Sequence, residues 1–170
     1  MKRLLILLAL AISTCAHADS GRFEQSKLFA GFKQAFVSTG QYSLEDEQLV
    51  WHTITPIESQ LKIDATGVYE RQADGEYTAQ VQTGPYGALL PALLAQDEQA
   101  LAQFFNSQLI PSPEPLSEKS LECVQLEPKT AELQSIFSHF VSCAQARNVV
   151  FIGLYEGNGT STEITLTPDS

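Results

Sequence analysis

This 170-residue chain has little of several things, and each scarcity narrows what it can be. It has one methionine, one tryptophan and three histidines, and basic residues are outnumbered two to one, ten against 20 acids. Clustered Lys and Arg are what nucleic acids and anionic lipid headgroups require of a direct partner, so the overall balance argues against nucleic acid and anionic lipid surfaces as direct partners. No apolar run after the first dozen residues is long enough to cross a bilayer, which takes about 20 apolar residues. Enzyme signatures are missing too. There is no G-x-S-x-G elbow, no H-E-x-x-H, no glycine-rich phosphate loop and no calcium-loop spacing around Glu45-Asp46-Glu47, which reads as a solvated turn. The expectation is a non-enzyme without metal or cofactor. A disfavoured enzyme reading would use His52 and Glu58, and a weaker one would make Cys143 a nucleophile beside His139.

What is present begins with export. Lys2 and Arg3 precede an apolar stretch, Leu4–Ile12, and Ala16-His17-Ala18 forms an A-x-A cleavage site, so residues 1–18 read as a signal peptide. Acylation at Cys15 is the competing reading, but Thr14 is a poor residue before a lipoprotein cysteine. Cleavage leaves residues 19–170 as one periplasmic domain with eight basic and 20 acidic residues, a charge of −12. Cys123 and Cys143 then remain. An even pair in an oxidising compartment suggests a disulfide, worth about 3 kcal/mol for a loop of this length, with two buried thiols as the alternative.

Gln25–Phe36 reads as an amphipathic helix, with Leu28, Phe29, Phe32, Ala35 and Phe36 on one stripe. Period-2 alternation marks strands at Ile57–Asp64 and Thr160–Thr167, and Asp74-Gly75 and Gly157-Asn158-Gly159 read as hairpin turns. Tyr86–Leu94 and a second helix capped by Asp97, carrying Leu101, Phe104, Phe105 and Leu109, make a helical insert, followed by an extended segment over Pro111–Pro115. Strands then resume at Leu121–Leu126, and Thr130–Phe137 reads as a helical turn leading into another. The expected order is helix, four strands, helical insert, four strands. Leu49–Ile54 and Val149–Leu154 are apolar on both faces, which predicts covers on both sides of the sheet: either a concave face that helices lid or an ordinary sheet with helices packed flat on it.

Phe23-Glu24-Gln25 before a helix, Gly40 opening a strand, Trp51-His52-Thr53-Ile54-Thr55-Pro56-Ile57-Glu58-Ser59, Leu126-Glu127-Pro128-Lys129 and the closing Ser161–Pro168 together resemble the outer-membrane lipoprotein carrier (LolA) family. The resemblance spans about Phe23 to Pro168, with Trp51–Ser59 its most specific piece. It implies a mainly β, α+β fold: an incomplete antiparallel β-barrel, a half-barrel lidded by short helices, working as a monomer. It implies a carrier that shields the acyl chains of a lipoprotein or other lipid-like cargo, with an inner-membrane transporter as donor and an outer-membrane acceptor. The expected cargo contacts are Phe32, Leu49, Trp51, Leu93, Leu94, Phe104, Phe105 and Phe151. Well-studied members carry an arginine in the strand before the tryptophan that latches the lid. Here Leu44-Glu45-Asp46-Glu47-Gln48 has no base, which implies a lid held mainly by apolar contacts. Divergent relatives of that kind resemble accessory subunits of lipid or polyene biosynthesis or export systems, the alternative role.

Overall fold

Short segments that alternate apolar and polar residues, punctuated by tight turns, fold here into one antiparallel sheet of eleven strands. The structure, a computed structural model, describes residues 19–81, 89–114, 116 and 120–169. The signal-peptide reading, the start of the Tyr86–Leu94 helix and Pro115 of the proline-rich segment lie outside the described residues.

The elements run β1 (Asp19–Leu28), β2 (Phe36–Glu45), β3 (Gln48–Thr55), β4 (Ser59–Asp64), β5 (Gly67–Arg71) and β6 (Tyr77–Val81). Helices α1 (Leu89–Leu94) and α2 (Glu98–Phe104) follow. The chain closes with β7 (Phe105–Ile110), β8 (Glu122–Pro128), α3 (Ala131–Ile136), β9 (Phe137–Gln145), β10 (Asn148–Glu156) and β11 (Ser161–Pro168). Strand order is β6-β5-β4-β3-β2-β1-β11-β10-β9-β8-β7, and every neighbouring pair is antiparallel. The first and last strands meet in the middle, whereas β6 and β7 form opposite edges. The sheet stays open, as a half-barrel does. The segment joining β6 to β7 therefore has to travel from one edge to the other, and it carries α1 and α2 across the inner face.

Two local readings needed correction. Gln25–Phe36 is not a helix. Gln25–Leu28 complete β1, Gln25–Lys27 paired with Ser38–Phe36 on one side and Gln25–Leu28 with Ile164–Ser161 on the other, and a turn with Gly31 at φ 83° follows. Ladder bonds on both edges of β1 override a helical spacing that offered only an amphipathic stripe. Likewise the helix capped by Asp97 stops at Phe104. Phe105 and Leu109 belong to β7, paired with Pro128 and Val124, so strands number six before the insert and five after it.

Turn chemistry matches expectation more closely. Asp46 and Glu47 turn β2 into β3 with φ of 48° and 64°, the conformation of a two-residue hairpin, and the acidic triplet is exposed. Around Gly157–Gly159 the Asn158 side chain accepts from Thr160 N at 2.7 Å, and Gly159 takes φ 90°. The Asp74-Gly75 turn is wider than two residues: Gln72 N donates to Glu76 O at 2.8 Å, and Asp74 Oδ1 accepts from Glu76 N at 3.0 Å.

Alternation divides the apolar residues between two faces. Inside lie Phe23, Tyr42, Leu44, Leu49, Trp51, Ile63, Leu126, Phe140, Val149, Ile152, Ile164 and Leu166, packed under Leu89, Leu93, Leu94 and Leu101 of the helices and Leu133 of α3. Phe23 stacks on Trp51 at 3.8 Å between ring centroids. Gly40 makes room for this pair, since a Cβ there would sit 2.8 Å from the Phe23 ring. A second, smaller cluster of Cys123, Val141, Cys143 and Phe151 lies apart, with Ile110, Leu116 and Leu121 packed against it. β10 is thus covered on both faces, one by helices and the other by the segment after β7. β3 is not: Leu49 and Trp51 are buried, whereas Ile54 is exposed.

Candidate functional site

Helix α2 is placed by its caps. Asp97 Oδ1 accepts from Ala100 N at 3.0 Å at its start, and Gln96, at φ 52°, turns the chain between α1 and α2. The Gln96 amide donates to Arg147 O at 2.8 Å and so ties the junction to the β9–β10 turn. At the far end Lys129, just past β8, donates twice: its backbone N–H to Phe104 O at 2.8 Å and its Nζ to Ala102 O at 2.7 Å. Helix α2 is therefore held at both ends by polar bonds.

Between α2 and the strands β7, β8 and β9 a cleft of about 480 Å³ remains. Its apolar wall is Leu93, Leu101, Phe105, Leu109, Val124 and Leu126, and Gln96, Glu98, Glu122 and Ser142 stand among them. A cleft of this size lies within the range of small-molecule pockets, about 300–1,000 Å³. The apolar walls can bind by excluding water from hydrocarbon, with the carboxylates of Glu98 and Glu122 among them.

The residues expected to contact cargo divide by place. Leu93 and Phe105 line the cleft. Leu49 and Trp51 are buried in the inner core beneath α1, Leu94 is buried there too, and Phe104 is half-buried against the same core. Phe32 and Phe151 are elsewhere. Phe32 is exposed on the loop after β1, and Phe151 is in the other cluster, opposite Cys143 in the ladder. The residues of the apolar wall that were not among the expected contacts are Leu101, Leu109, Val124 and Leu126. Val124 and Leu126 are alternate residues of β8, and that alternation was the signal available for them.

A second depression of about 670 Å³ sits beside Asp19, Leu44, Leu94, Arg147 and Asp169. Burial raises the Asp19 carboxyl above its ordinary range. Burial, then the charges of Asp19 and Asp169, pushes the Tyr42 hydroxyl well above its ordinary value. The Asp19 carboxyl faces that buried hydroxyl, without full hydrogen-bond geometry among the described residues.

Cys123 and Cys143 are joined, their Cα atoms 4.1 Å apart, as directly opposed residues of β8 and β9. Cys143 is therefore no free nucleophile, and His139 stacks on Tyr155 at 4.5 Å between ring centroids. His52 and Glu58 meet at 3.1 Å on the surface and do not enter the cleft. Among the described residues no three His, Cys, Asp or Glu side chains gather as a metal site, and no helix is long and apolar enough to cross a membrane.

No protein-family model and no curated protein matches the sequence. Solved structures do. A LolA superfamily protein from Nitrosomonas europaea is similar at TM-score 0.45 and 8% identity, over 90% of this chain and 85% of that one. A DUF1329 family protein from Desulfovibrio piger is similar at TM-score 0.43 and 8% identity, over 91% and 85%. An outer membrane lipoprotein-sorting protein domain from Vibrio parahaemolyticus is similar at 0.29 and 7%, over 88% and 83%. The half-barrel architecture rests on the strand pairing of the chain itself.

Proposed function

We propose that this chain is a divergent LolA-like carrier, exported to the periplasm by residues 1–18. Residues 19–170 then shield the acyl chains of a lipoprotein or another lipid-like cargo on its way towards the outer membrane, taking it from an inner-membrane donor and yielding it to an outer-membrane acceptor. The observation that carries the reading is the apolar cleft between α2 and the open sheet, walled by Leu93, Leu101, Phe105, Val124 and Leu126. An acyl chain needs no polar partner to be held. Burying about 15 methylenes gains about 12 kcal/mol, and association costs of about 4 kcal/mol leave a micromolar affinity. The role is binding without catalysis.

One observation favours a second reading, a non-enzymatic adaptor of a lipid or polyene biosynthesis or export system. Much of the inner face is filled by the chain's own side chains, Leu49, Leu93 and Ile152 being almost wholly buried. Displacement of a fluorescent fatty acid separates the two. A carrier shows saturable binding at micromolar protein, and Val124→Trp, which fills the cleft from a half-buried position, weakens it at least about tenfold. A folded protein with no saturable binding, or an equally tight Val124→Trp variant, overturns the carrier reading in favour of the adaptor.

A further inference from the structure

Most of the large apolar side chains that the fold leaves in water gather at one end of it. Because the strands are antiparallel, the β1–β2, β3–β4 and β10–β11 connections and α3 all lie at the same end of the sheet. Seven exposed large apolar residues belong to this end: Phe29, Phe32, Phe36, Val37, Ile54, Ile57 and Ile136. Leu109 is the sole such residue elsewhere among the described ones.

The centre of the patch is built. Phe29, Phe32 and Phe36 are 40%, 60% and 57% exposed, and their rings meet edge to face at centroid distances of 5.6–6.1 Å. Phe36 opens β2, and two hydrogen bonds hold the loop that carries Phe29 and Phe32: Phe32 N to Phe29 O at 3.0 Å, and Ala30 N to Thr160 Oγ1 at 3.2 Å on the neighbouring turn. A fixed, solvent-facing cluster of three rings is costly in water and marks an interaction site.

Charge selects the partner. From Gln25 to Leu44 this acidic chain has no Asp or Glu, and it has Lys27 and the exposed Lys33 there. Lys27 lies 5.0 Å from the Phe29 ring centroid and 3.9 Å from Glu156. Acids stand at this end as well: Glu58 is engaged with His52, Glu156 faces Lys27, and Asp74 and Glu132 lie on the β5–β6 turn and on α3. An apolar ring cluster in an acid-free stretch that carries Lys27 and Lys33, on a molecule otherwise repelled by anionic surfaces, has the make-up of an interfacial anchor.

We propose that this end of the half-barrel is a bilayer-docking tip: Phe29, Phe32 and Phe36 insert among the lipid headgroups while Lys27 and Lys33 face anionic phosphates. The molecule then stands on its end, with the cleft-bearing sheet rising from the membrane.

Co-sedimentation of the purified protein with vesicles of phosphatidylethanolamine and phosphatidylglycerol tests this. The protein is expected to sediment with the vesicles. Phe29→Ser/Phe32→Ser/Phe36→Ser should lower the partition coefficient at least about tenfold. Phe32→Ser alone, at the most exposed of the three, should lower it about threefold and serves if the triple variant does not fold. Lys33→Gln should cost about fivefold on these vesicles and nothing on phosphatidylcholine alone. Fatty-acid displacement should be unchanged in all of them, which separates this proposal from the carrier reading. Wild-type protein that stays in the supernatant, as a tip for docking a protein would, overturns the proposal. A folded triple variant that sediments like wild type overturns it too, and an unaffected Lys33→Gln removes the role of charge.

Discussion

Reducing the Cys123–Cys143 bridge is the perturbation whose size follows most directly from the structure. The bridge closes a loop with a sequence separation of 20. In the chain-entropy account, releasing such a loop in the unfolded state costs the fold about 3 kcal/mol. For a chain near 150 residues each kcal/mol moves the melting temperature by about 2–4 °C, so the reduced protein should melt about 6–12 °C lower. Packing supplies a second contribution that reduction spares. Both sulfurs are buried beside Val141 and Phe151, with Leu116 and Leu121 packed against the cluster. A Cys123→Ala/Cys143→Ala variant loses those contacts as well and should melt lower than the reduced wild type. Thermal unfolding by circular dichroism, with and without reductant and with free thiols counted by alkylation, is the assay. A reduced protein that melts within about 1 °C of the oxidised one would refute the loop argument, because directly opposed β8 and β9 residues would then be held by the ladder alone.

Two further outcomes follow from the Lys129 bonds and from buried phenol groups. Replacing Lys129 by Met removes the Nζ bond to Ala102 O and keeps the backbone bond to Phe104 O. An exposed charge-assisted bond of this kind is worth about 1 kcal/mol, so amide exchange in α2 should quicken about fivefold with little change in global melting, and unchanged exchange would mean that the Nζ bond adds nothing to what holds α2. The Tyr155 hydroxyl is pushed up to about 12 by burial and then by the charge of Glu163, to which it donates at 3.2 Å. Its folded value lies above the unfolded one, so stability is intact below about pH 10 and falls as pH rises through about 12. Tyr155→Phe should flatten part of that alkaline decline in urea midpoints, the remainder belonging to Tyr42, and an unaltered slope would contradict the assignment.

Some of this molecule is legible because it is local. The signals for β10 and β11, for the Asp46-Glu47 and Gly157–Gly159 turns and for the Asp97 cap lie within a few residues of one another, and each cap and turn bond closes over that distance. The half-barrel itself was reached through the resemblance of Trp51–Ser59 and its companions, which no local period encodes. The cleft was legible in part: Leu93 and Phe105 were among the expected contacts, and both line it.

The amino-acid sequence alone determined the alternation of each strand, the turns between them, the cysteine pair and the acid-free stretch around the three phenylalanines. Tertiary structure decided which side each alternation faces. Shifting a strand by one residue turns all its side chains over, and nothing within the strand records the choice. Trp51 therefore went inward to stack on Phe23 while Phe151 went to the other face beside the disulfide. Phe29 and Phe32 left a helical stripe for a bare loop, and Phe36 for the start of β2, because β1 found its hydrogen bonds in β2 and in β11, whose residues come more than 130 positions later in the chain.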